Sequence, residues 1–188
     1  MSLRPPELEY PRSLRAAFSD PTVVHAGTGV GGRGTEEIKT NDVTGRLGHG
    51  EAGIVVELGR PGTGAHFRDV ETVAMALAPL GAEFEPLNPV TQLMEDTKTG
   101  KMKEEVLDEK VLSAIIEAKT SLERIPEYLS ALQAVQGEID TVFSVGVASR
   151  CLPDGSVPHQ RWVEEAGYTL SPNGKTNLGL GRPLHRGD

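Results

Sequence analysis

Hydrophobic and polar positions alternate most cleanly over Ile54–Leu58. Ile54, Val56 and Leu58 fall on one side and Val55 and Glu57 on the other, which is the period of a half-buried strand. Gly59, Gly62 and Gly64 interrupt the run, and the spacing then changes. Val70, Val73, Ala74 and Leu77 recur at i, i+3, i+4 and i+7, with Leu80 extending the stripe, so a helix is predicted over residues 66–80. Pro79 and Gly81 supply its stop. Ala82–Leu87 sets Phe84 against Glu83 and Glu85 and reads as a second strand, and Val90–Met94 as a third. Over Lys103–Lys119 the positions Val106, Leu107, Val111, Ala114, Ile115 and Ala118 form a helical stripe. Glu104, Glu105, Asp108, Glu109, Lys110 and Glu117 then fall on its solvated face. Another helix is predicted over residues 125–136, with Pro126 at its first position and Leu129, Leu132 and Val135 on its buried side. Asp140–Ser149 is a strong strand, with Phe143, Val145 and Val147 on one face and a shallow Val142, Ser144, Gly146, Ala148 face opposite.

These elements predict an α+β fold with a ferredoxin-like core. A mainly antiparallel sheet of 54–58, 82–87, 90–94 and 140–149 carries helices on one face, and Thr22–Ala26 adds an edge strand. Pro5, Pro6, Pro11 and Pro21 mark residues 1–21 as an arm, with Leu14, Ala16, Ala17 and Phe18 as a short docking turn. Residues 22–170 form a single domain. Residues 171–188 are a Gly-rich tail, so the core carries irregular Gly/Pro-rich extensions at both ends. Between them, the Pro-Asp-Gly turn at 153–155 leads to His159, Arg161, Trp162, Glu164, Glu165 and Tyr168, with Trp162 expected to anchor this excursion.

Composition adds limits. Over 188 residues the apolar share is 37%, while 22 Gly and 13 Pro point to long ordered loops around a modest core. A net charge of −8 and only 4% aromatics disfavour phosphate-backbone binding and base stacking, so no nucleic-acid partner is expected. No apolar run approaches the roughly 20 residues that span a bilayer, no secretory leader pattern opens the chain, and a cytoplasmic, non-membrane protein is expected. One cysteine, Cys151, excludes an internal disulfide.

Several motifs give way on closer reading. Gly27, Gly29 and Gly32 match G-x-G-x-x-G after a strand-like run, but residues 35–52 hold too few aliphatics for the helix that would receive a pyrophosphate. Glu57 alone, at the place of a ribose-binding acid, does not restore the match. Gly174-Lys175-Thr176 lacks the earlier glycine of a P-loop. Cys151 and nearby Ser149 sit in no nucleophile motif. His25, His49, His66, His159 and His185 show no paired metal-ligand spacing, and neither metal nor cofactor is expected.

The loop at 59–68 keeps its interest. It opens the predicted helix and carries Arg60, Gly62, Thr63, Gly64, His66 and Arg68. Glycines admit a ligand to the backbone, helix-end amides favour negative charge, and the arginines can fork onto a carboxylate or phosphate. The expected ligand is a small anionic metabolite. Asp69 and Glu71, in the first turn, can serve the same helix end without one. An alternative is a small enzyme in which His66, or His49 with Glu51 in the polar Lys39–Glu51 segment, acts as general acid or base. The run from Val55 to Ala82 resembles the first β–loop–α–β of an ACT-type module through Val55, Val56, Arg60, Pro61, Gly62, Leu77, Gly81 and Ala82. It departs at Gly59, where an acid is usual, and in a longer Thr63–Ala65 loop. The resemblance spans residues 54–87 and implies a ferredoxin-like fold with a small-molecule site, often for an amino acid, at the loop. A sheet with one open face further predicts a homodimer or higher homo-oligomer.

Overall fold

The computed structural model describes residues 7–20, 22–24 and 45–171. In chain order the elements are α1 (Ser13–Ala17), β1 (Glu51–Leu58), β2 (Ala65–His66), α2 (Phe67–Leu77), β3 (Glu83–Phe84), β4 (Met94–Asp96), β5 (Lys101–Met102), β6 (Lys110–Val111), β7 (Ala114–Ser121), α3 (Ile125–Val135), β8 (Phe143–Ser149) and α4 (Pro158–Glu165). The fold is α+β, built on a four-stranded antiparallel sheet of order β3-β7-β1-β8. Small two-stranded ribbons β2-β6 and β4-β5 flank it.

The alternation at 54–58 sets the registry of burial. Ala52, Ile54, Val56 and Leu58 of β1 join Ala114, Ile116 and Ala118 of β7 in the main core. Helix α2 lays Phe67, Val70, Val73, Ala74 and Leu77 on that face, and α3 adds Ile125, Tyr128, Leu129, Leu132 and Val135 beside it. Each fully buried side chain of this kind contributes about 1.5–3 kcal/mol. The stop after α2 follows its expected chemistry: the chain tightens into a 3-10 turn at Ala78–Leu80, and Gly81 turns left-handed at φ 73°. On the other face of the sheet Leu47, Val55, Ile115 and Ala148 form a smaller cluster. Short α1 docks by Phe18, whose ring meets Phe67 edge-on at 5.3 Å, and by an Arg15–Glu109 ion pair. Trp162 and Val163 of α4 pack against the main core.

Three expectations are corrected. Lys103–Lys119 is not a helix: it holds a 3-10 turn at Glu104–Val106, β6, and then β7, a central strand. Buried on both faces, β7 shows no clean alternation, so its spacing also fits a helix. Of the residues assigned to its solvated face, Glu104, Glu105, Asp108 and Lys110 are exposed, but Glu109 is buried, and Glu117 is wholly buried and accepts a 3.1 Å bond from Asn88 Nδ2. Val90–Met94 is a 3-10 turn over Thr91–Leu93, organised by Asn88 Oδ1 accepting the Val90 amide at 2.8 Å; only from Met94 does it become a strand, outside the main sheet. The expected strand at Thr22–Ala26 lies partly outside the described residues, with a single bridge at Val24. The glycine loop at 27–34 and the 171–188 tail, Ser171 apart, fall outside them as well.

Candidate functional site

The loop between β1 and α2 is a turn pinned at both ends. Gly59 donates to Val142 O at 2.8 Å, Gly64 donates back to Gly59 O at 3.0 Å, and Thr141 Oγ1 donates to Gly64 O at 2.5 Å. Glycine is required at both anchors: φ is 86° at Gly59 and 75° at Gly64, and a Cβ at either would meet backbone at 3.0 Å or less. Residues 60–63 are thereby pushed into solvent. The amides of Gly62 and Thr63 have no acceptor among the described residues.

The helix end behind the turn is closed. The first two helical amides, Phe67 and Arg68, donate to Glu109 O at 3.1 Å and Leu107 O at 3.2 Å, and the His66 amide donates to Asp69 Oδ2 at 3.0 Å. Asp69 Oδ1 also accepts the Asp140 amide at 3.1 Å, so this buried carboxylate joins α2 to the entry of β8. Glu71 is spent on the Met102 amide at 2.8 Å. The His66 side chain faces the Asp69 amide in a capping box at the start of α2, with Nδ1 shielded from solvent.

Around the turn, Arg60 pairs with Glu57 at 3.0 Å and Arg68 pairs with Asp108. Sequence reasoning missed Lys110, which it set on the outside of a helix. As part of β6, Lys110 stands directly across from His66 of β2, and its stem crosses Gly64. It forms no ion pair among the described residues. The signal for it was the short Lys110–Val111 run ending before Ser113, which became visible as a strand only through its pairing with β2.

His49 and Glu51 are elsewhere. They sit at the other end of β1, about 24 Å from the turn at 3.4 Å per residue. Burial pushes the Glu51 carboxyl up, but the Gly48 amide at 2.6 Å and the Lys119 ammonium at 2.9 Å outweigh it and hold it below the usual range. Glu51 thus serves as an anchored anion and makes no bond to His49.

At the end of β8 a further pair appears. Ser149 Oγ lies 2.8 Å from His159 Nδ1 and accepts the His159 amide at 3.4 Å. Burial drives the His159 pKa down to about 4, so the ring beside this hydroxyl is neutral. The intervening turn, closed by Leu152 N to Ser156 O at 2.9 Å, returns the chain to the strand end. Ser149 is only 4% exposed, and the pair fastens α4 to the sheet. Cys151 is a free, half-buried thiol beside it. Among the described residues no group of three or more His, Cys, Asp or Glu side chains is placed to hold a metal, and no helix is long and apolar enough to cross a membrane.

Comparison of the chain with protein-family models, curated proteins and solved structures found no significant match.

Proposed function

We propose that the protein is a binding or regulatory module for a small anionic metabolite, held at the exposed 60–63 turn. We propose further that its core is a ferredoxin-like, ACT-type unit, a reading supported by the β–α–β–β–α–β succession of β1, α2, β3, β7, α3 and β8 in the order β3-β7-β1-β8. The observation that carries the ligand reading is the concurrence, beside one pinned turn, of two amides (Gly62 and Thr63) without an acceptor and a cation (Lys110) without an ion pair among the described residues. Arg60 and Arg68 flank them as paired but exposed cations, and His66 stands across from Lys110. The anion is gripped by the turn and these side chains, since carbonyls of 107 and 109 already occupy the first amides of α2. A single thiol and an acidic surface fit a cytoplasmic setting.

The test is a thermal-shift and calorimetric screen of small carboxylates and phosphates, with any hit followed by NMR. A hit returned chemically unchanged is expected. A charge-assisted hydrogen bond contributes about 1.5–3 kcal/mol, so Lys110→Ala and Arg60→Ala should each weaken binding roughly tenfold to a hundredfold. Undiminished affinity in both variants would refute the site, and turnover of the ligand would favour an enzyme.

A further inference from the structure

The two edges of the main sheet are built differently. At the β3 edge the strand is two residues long, begins with Glu83, is followed by Glu85, and has its Glu83 carbonyl covered by Arg46 Nη2 at 2.6 Å. Short, charged and covered edges are how sheets avoid further pairing. At the other edge, β8 runs for seven residues, FSVGVAS, with no charge and no proline. Among the described residues nothing pairs with its outer side. Val145 is 37% exposed and Val142, just before the strand, 48%.

Backbone geometry says which groups face out. Gly59 N–H donates to Val142 O, and the β1–β8 register pairs Leu58 with Phe143, so Gly59 and Val142 form a hydrogen-bonded pair. Alternation then turns residues 144, 146 and 148 toward β1, and the N–H and C=O groups of Phe143, Val145 and Val147 outward.

We infer that β8 pairs with β8 of a second copy of this chain, antiparallel about a two-fold axis at Val145, extending the sheet through the dimer. In that register Val145 exchanges hydrogen bonds with its own counterpart and Phe143 with Val147, so every outward group of the run finds a partner. The ends are complementary in charge. Asp140 and Arg150 are equidistant in sequence from Val145, neither forms an ion pair among the described residues, and the two-fold brings each toward the other on the second copy. The pairing is isologous and closes on itself, giving a dimer rather than a fibre. It does not depend on the ligand reading.

The test is light scattering of the full chain at micromolar concentration. The wild type should show the mass of two chains. Val145→Pro removes an outward N–H that β1 does not use, and should halve the mass with the circular dichroism spectrum retained. Val145→Lys, which keeps the backbone donor and adds an edge charge, should do the same. A wild-type mass of one chain, folded variants that both remain dimeric, or an open-ended series of masses would each overturn the inference.

Discussion

His159 should make the protein acid-labile in a defined window. The unfolded chain titrates this ring near 6.5, whereas burial holds it at about 4 in the native state. Between those values the native state binds fewer protons, so stability rises with pH. The contribution is fully present above the unfolded pKa and is lost as pH falls from about 6.5 toward 4. At 1.36 kcal/mol per unit the interval corresponds to roughly 3.4 kcal/mol. The ring is partly exposed and solvent screening reduces this, leaving about 2 kcal/mol. The structural origin is burial of the ring between the end of β8 and α4, which penalises its charged form. Urea denaturation of the wild type and His159→Gln at a series of pH values separates this from the carboxylates, because Glu51 and the other acids titrate in both proteins. The difference in unfolding free energy between the two should shrink, relative to neutral pH, by about 2 kcal/mol on acidification to pH about 4. A difference curve that is flat, or that slopes the other way, would refute the argument.

Two stability predictions follow from buried contacts. Asn88 is wholly buried, accepts the Val90 amide and donates to Glu117, so Asn88→Ala should lower the unfolding free energy by about 2–4 kcal/mol in denaturant titration. Gly100 has φ 75° and packs so closely on α2 that a Cβ would lie 2.5 Å from the Ala74 carbonyl; Gly100→Ala should cost 3 kcal/mol or more, roughly, and drop the melting temperature well beyond any surface alanine substitution.

Local signals carried part of the architecture. The alternation at 54–58, the i, i+3, i+4, i+7 stripe closed by Gly81, the Pro126-led helix and the apolar strand after Asp140 each appear where their spacing places them, as β1, α2, α3 and β8. Helices α2 and α3 expose one face to water and the pattern of the chain records it, whereas β1, expected to be half-buried, is covered on both faces and kept its alternation only through Glu57. The failures share a cause. β7 is covered on both sides and Glu117 lies within it, so hydrophobic order on one face and a buried carboxylate on the other imitate an amphipathic helix. Val90–Met94 is governed by one side chain, Asn88, outside the run.

The site divides in the same way. Glycine spacing and adjacent arginines located the 59–68 turn, because the conformations that glycine permits are a property of the residue itself. Whether the helix amides behind the turn are open depends on residues about 40 positions away, the 107–109 carbonyls, and on a pairing of β2 with β6 that no local pattern announces. The contact of Ser149 with His159 and the standing of Lys110 beside His66 are likewise consequences of chain return. The sequence by itself therefore determined which helices carry an apolar stripe and where the chain must turn. The partner of each polar group was left to long-range packing, since a hydrogen bond between distant segments leaves no period in either one.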